Sequence, residues 1–71
     1  MNDQKEEMIC RLKNKGYVPS GSDKMGVYLQ NGKTRVYVDE IGIFIYRRSH
    51  RQGPWSREAG HPFSLIPWEV L

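Results

Sequence analysis

The chain has a single cysteine, Cys10, among its 71 residues. A lone thiol forms no internal disulfide, and a small fold without a disulfide framework points to a reducing compartment. Long apolar runs are missing too: nothing approaches the ~20 residues that a membrane-spanning helix needs. The opening residues, MNDQKEEM, are polar and acidic where a signal peptide carries an apolar core. A cytoplasmic protein with no membrane partner is expected. The chain lacks C-x-x-C and H-x₃-H spacings, and Cys10, His50 and His61 are too scattered to form a zinc set. No metal and no cofactor is therefore expected. Gly42, Gly53 and Gly60 are too dispersed for a phosphate-cradling loop. Ser49 adjoins His50, but sequence neighbours rarely meet in nucleophile–base geometry. His50 with Glu58 offers only an isolated acid–base pair, and Asp39 and Glu40 fall in a turn, where acids are common. No catalytic residue is assigned and no enzyme is expected. No internal repeat is visible.

What is present is mildly basic, with a formal net charge of +3 and a pI of about 9.2. Such a balance suits phosphates or an acidic protein surface. The excess sits late: residues 41–71 carry Arg47, Arg48, Arg51 and Arg57 against Glu58 and Glu69. The length fits one small domain, residues 1–71. A chain of this size buries only roughly 60% of its unfolded surface. It would gain from oligomerisation, so a homodimer through an unpaired sheet edge is one partner considered.

Residues 3–15 predict a helix. Asp3 with Glu6 fits a capping box, Met8, Ile9 and Leu12 form one apolar stripe, and Gly16 suits the position after the last turn. Cys10 is expected to be a small, partly buried side chain on that helix. Tyr17 and Val18 lead into Pro19–Asp23, a predicted loop. Residues 26–30, 33–38 and 43–48 predict three antiparallel strands. Asn31-Gly32 is a strong hairpin signal, and taken as the loop it sets Gln30 opposite Lys33 and Tyr28 opposite Arg35. Alternation then puts Val27, Leu29, Thr34, Val36 and Val38 on one face and Tyr28, Gln30, Arg35 and Tyr37 on the other. At the second turn, a four-residue loop Asp39–Gly42 sets Val38 opposite Ile43. A three-residue loop with a bulge at Gly42 would exchange the two faces of the third strand. The first segregates apolar from polar better and is expected. It adds Phe44, Tyr46 and Arg48 to the aromatic face. Residues 47–62 predict a loop, with room for a helical turn at Trp55–Ala59, and residues 63–66 predict a short fourth strand. The fold class is α+β: one N-terminal helix packed on a three- or four-stranded antiparallel β-meander.

Two surfaces are candidates for function. The aromatic face, with Tyr28, Tyr37, Phe44, Tyr46, Arg35 and Arg48, suits base stacking and phosphate contact. It equally suits a second core, because Trp55, Phe63, Leu65, Ile66 and Trp68 supply apolar area to cover it. The second core is the expectation. The arginine-rich loop, Arg47, Arg48, His50 and Arg51 with Arg57, is then the contact surface, joined by Lys33 and Arg35, with Tyr28, Tyr37, Tyr46 and Trp55 as aromatic contacts. Arginine forks match phosphate and carboxylate geometry. A small non-enzymatic module binding nucleic acid is the leading expectation. The alternative is a regulator or inhibitor that binds an acidic protein surface through exposed aromatic and arginine residues. In size and style the chain resembles the compact accessory proteins of phages and mobile elements, though no motif carries that resemblance.

Overall fold

The computed structural model describes residues 3–71. Helix α1, Asp3–Asn14, opens with Asp3 and Glu6 and closes with Arg11 and Lys13, as the helix dipole favours. Asp3 is its first residue, so the capping position before it lies outside the described residues. At the other end the Tyr17 amide donates to the Leu12 carbonyl (3.0 Å) and the Gly16 amide to the Lys13 carbonyl (3.1 Å). Gly16 has φ +100°. This is a Schellman closure, and it turns the chain straight into a strand.

Five strands follow: β1 Val18–Ser22, β2 Val27–Asn31, β3 Thr34–Val38, β4 Gly42–Arg47 and β5 Ser56–Pro62. They form one antiparallel meander in the order β1-β2-β3-β4-β5. The expected three or four strands are thus five, and two of them were unforeseen. Residues 19–23 and 56–62 are rich in Pro, Gly and Ser, which weaken a strand signal. Each nonetheless pairs with a strongly patterned neighbour, and both lie at sheet edges, where such residues are tolerated. Residues 63–66 are not a strand: Phe63–Leu65 form a 3₁₀ turn, and Trp68–Val70 form another. The edge strands also carry register irregularities, between Pro19 and Gly21 and opposite Ile45/Tyr46.

The β2–β3 pairing differs from expectation in a revealing way. Asn31 pairs with Thr34 and Tyr28 with Tyr37, leaving Gly32-Lys33 as the loop. Only Gly32 takes a positive φ there, +63°, which matches a turn with glycine first. The partner of each β2 residue moves by two positions, an even number, so both faces keep their expected members. At β3–β4, Val38 pairs with Ile43 and Val36 with Ile45, the four-residue-loop register.

The two turns at the far end of the sheet are copies of each other. Asp23 Oδ1 accepts from the Met25 and Gly26 amides, and Asp39 Oδ1 accepts from the Ile41 and Gly42 amides, all at 2.8–2.9 Å. Each Asp amide donates to its glycine carbonyl. Asp23-Lys24-Met25-Gly26-Val27-Tyr28 and Asp39-Glu40-Ile41-Gly42-Ile43-Phe44 are therefore a short repeated turn-and-strand unit, where no internal repeat was expected. Both turn glycines are buried. A Cβ on Gly26 would strike the Val38 carbonyl, and one on Gly42 the His61 carbonyl.

The core lies on the aliphatic face. Met8, Leu12, Tyr17, Leu29, Val36, Val38, Ile43 and Ile45 are buried together. Each fully buried aliphatic side chain contributes about 1.5–3 kcal/mol. Ile9, Val27, Phe63, Ile66, Trp68 and Leu71 pack against this cluster. The C-terminal tail thus joins the helix on the aliphatic side. The Tyr17 hydroxyl donates to the Leu71 carbonyl (3.3 Å) and Arg47 Nη2 to the Val70 carbonyl (3.1 Å), which pins the tail there. The expected tail cover over the tyrosines does not form, because the helix alone leaves part of the aliphatic face for Phe63, Ile66 and Trp68 to close. Cys10 is exposed on the helix, not partly buried. No helix among the described residues is long and apolar enough to cross a membrane.

Gly26→Ala and Gly42→Ala should each lower unfolding free energy by more than ~2 kcal/mol, because backbone must move to admit the methyl. Gly21→Ala, with open space around its Cβ, should stay within about 0.5 kcal/mol of the parent. Urea denaturation curves of the three variants check this.

Candidate nucleic-acid interface

The face opposite the helix is built in rows that cross the strands, because directly paired residues share a face. One row runs Gly21, Tyr28, Tyr37, Phe44, Gly60 and the next runs Val18, Gln30, Arg35, Tyr46, Arg57. In the first, the Tyr28 and Tyr37 ring centroids are 4.6 Å apart and those of Tyr37 and Phe44 are 6.5 Å apart. Tyr46 lies 6.5 Å from Tyr28 across the rows. These separations are those of attractive aromatic pairs.

Guanidinium groups lie over the rings. Arg35 is 5.5 Å from the Tyr28 centroid and 4.6 Å from that of Trp55. Arg48 is 4.2 Å from Trp55, and Arg57 is 5.2 Å from Phe44. Cation–π contacts of this kind contribute about 0.5–2 kcal/mol each. Trp55 reaches the face from the loop after β4 and meets two arginines there. Arg35 Nη2 also donates to Gln30 Oε1 (3.2 Å) and Arg48 Nη2 to the Gly32 carbonyl (3.1 Å). The Nε donors of Arg35 and Arg48 are enclosed and meet no acceptor among the described residues. Such donors cost about 1–3 kcal/mol each, which offsets much of what the ring contacts contribute.

The arginine cluster foreseen in the sequence divides between the two faces. Arg48, Arg35 and Arg57 stand with the rings. Arg47 points to the helix side, where its Nε is 2.7 Å from Glu58 and its Nη1 donates to Thr34 Oγ1 at 3.1 Å. With its bond to Val70 it acts as a clamp on the tail. Arg47 is the last residue of β4, and the Arg48 amide just beyond it donates to the Lys33 carbonyl (3.1 Å), which prolongs the strand's alternation and turns the two side chains to opposite faces. His50, Arg51 and Lys33 are exposed at the end of the sheet that carries the Gly32-Lys33 turn. Tyr28, Tyr37, Tyr46 and Trp55 all lie on the ring face. Phe44 and Gln30 stand on this face too, as strand alternation from Tyr46 and Tyr28 predicts. Among the described residues no group of three His, Cys, Asp or Glu side chains is placed to hold a metal.

The face is also polar from end to end. Asp23, Asp39 and Glu40 occupy the twin-turn end with Lys24 and with Lys5, which pairs with Glu40, while Lys33, Arg48, His50 and Arg51 occupy the other. At the acidic end the Tyr37 hydroxyl donates to Asp23 Oδ1 (2.8 Å). This bond is the main reason the Asp23 carboxyl sits below the usual range, with the Met25 and Gly26 amides adding to it. Enclosure first, and then the same bond, push the Tyr37 hydroxyl up from 10.0 to about 12. Burial raises Tyr17 as well.

The sign of the pH effect follows. The unfolded chain releases the Tyr37 proton near pH 10, before the folded one does, so the stabilisation is complete below that pH and is lost as pH rises toward 12. Tyr37→Phe should flatten this alkaline loss, leaving the smaller contribution of Tyr17. It should also weaken the acid-side loss from Asp23, which sets in as pH falls below 3.8. Urea midpoints across pH, with tyrosinate absorbance as a second probe, test both arms. Compared with protein-family models, curated proteins and solved structures, the chain finds no match, so its functional reading rests on this face.

Proposed function

We propose that the chain is a small non-enzymatic module that binds nucleic acid on the ring and arginine face. One observation carries the reading. Arg35, Arg48 and Arg57 share a face with five aromatic rings, and no carboxylate among the described residues pairs with any of them. The ion pairs among the described residues, Lys5–Glu40, Arg11–Glu7 and Arg47–Glu58, involve other residues. Unpaired guanidinium groups held in place are suited to phosphate oxygens. Exposed Lys33 and Arg51 extend the positive surface at one end, with exposed His50 beside them.

A second reading, a protein-binding regulator, has its own support. Met25 and Ile41 are 64% and 78% exposed at the tips of the twin turns. Ile41 borders an apolar hollow of about 350 Å³ shared with Ile43, Phe44, Gly60 and Pro62. That surface lies at the acidic end, so Ile41→Asp should abolish protein binding and leave nucleic-acid binding unchanged.

Anisotropy titrations of labelled oligonucleotides over a salt series test the proposal. Binding should be clear at ~50 mM salt and weaken as salt rises. The slope of log K against log salt should be no steeper than about −4.5, since Lys33, Arg35, Arg48, Arg51 and Arg57 are the available cations. Arg48→Met should weaken binding by about tenfold, the loss of one charge-assisted contact. It should change folding stability by less than ~1 kcal/mol, because it removes an enclosed unsatisfied donor along with the ring contact. Absence of binding at ~50 mM salt would sink the proposal.

A further inference from the structure

Resting on the nucleic-acid reading, we infer that the ligand is a single strand, and that its unpaired bases stack against the layer that the Arg35 and Arg48 guanidinium groups form with the rings of Trp55, Tyr46 and Tyr28.

Three features of the face separate a single strand from a duplex. First, a duplex buries its base faces in its own stack and offers a protein only phosphates, sugars and groove edges. The rings at this surface would then have nothing to stack on. Second, reading a duplex groove takes a protruding element, a helix or two-stranded ribbon in a groove about 12 Å wide. Here α1 is packed on the far side of the sheet, and the ring face is the broad side of a meander. Third, the guanidinium groups lie over Trp55, Tyr28 and Phe44 at 4.2–5.5 Å from the ring centroids. Planar guanidinium and aromatic faces are the two surfaces on which splayed-out bases stack.

The charge gradient sets the path. The twin turns carry Asp23, Asp39 and Glu40 against Lys24 and the Glu40 partner Lys5, whereas Lys33, Arg48 and Arg51 gather at the other end of the strands, so the ligand's backbone runs across the strands near that positive end. The row Gln30, Arg35, Tyr46, Arg57 crosses β2 to β5 there. Three strand spacings of about 4.8 Å make a track of roughly 14 Å. Sheets of similar width hold two or three bases.

The two tryptophans make the test direct, because Trp68 packs with the helix side, 5.3 Å from Arg11. Trp68→Phe leaves Trp55 as the sole tryptophan. Its fluorescence is titrated at low salt with four probes of equal length: oligo-dT, oligo-U, an abasic deoxyribose-phosphate strand and a blunt DNA duplex. Saturable quenching by oligo-dT or oligo-U, with the abasic strand and the duplex at least tenfold weaker, supports the inference, and the better of the first two identifies the preferred sugar. In the parent background, Trp55→Leu should lower single-strand affinity about tenfold or more by anisotropy. Equal affinity for abasic and base-bearing strands, or a duplex that binds as tightly as a single strand, overturns it. Those outcomes leave the nucleic-acid reading standing. Failure of all four probes to bind removes that reading as well. If Trp55→Leu fails to fold, the abasic comparison on the Trp68→Phe chain decides alone.

Discussion

The pairing of Val36 with Leu29 on one side and Ile45 on the other governs the rest of this molecule. These three side chains are at most 2% exposed, and they sit at the centre of the aliphatic face. Because side chains alternate along a strand, burying Val36 commits Arg35 and Tyr37 to the opposite side. The same parity carries Tyr28, Phe44 and Tyr46 with them. A register slip of one residue would drive arginine and tyrosine into the core, so the core and the ring face are specified by one set of contacts.

The aliphatic face is closed by two pieces, the helix stripe of Met8 and Leu12 and the tail from Phe63 to Leu71. Arg47 secures the second piece through Glu58, Thr34 and Val70. With the tail docked there, no further layer among the described residues lies over the rings. They cover one another, with guanidinium groups laid across them and Trp55 brought in from the loop. The result is a surface whose groups are held in place without being closed off by another layer. Binding on such a surface loses less side-chain entropy than binding through free arginines would.

The twin turns do related work at the other end. In each, an aspartate carboxylate satisfies two backbone amides while glycine lets the chain pass close to a neighbouring strand. They set the ends of β2 and β4 alike, which keeps the two hairpins in phase. The Asp23 turn also anchors the Tyr37 hydroxyl, so the geometry of the ring face and that of the turn are coupled. Placing these carboxylates at one end leaves the opposite end positive.

The sequence by itself determined the N-terminal helix, the three central strands and the membership of both sheet faces. Those rest on local periodicity and on turn residues whose backbone demands are strong, and the β2–β3 loop moved by one residue without disturbing them because the change in partner was even. The edge strands Val18–Ser22 and Ser56–Pro62 were not legible, since their own residues favour loops and their strand form comes from partners already in place. The sequence also placed Arg47 and Arg48 in one basic cluster, whereas strand alternation sends them to opposite faces. Most consequentially, apolar residues in the tail reveal that it must dock but not where. Only the tertiary structure decided that, because the helix leaves part of the aliphatic face unfilled and burial there is worth more than burial over tyrosines and arginines already packed on one another.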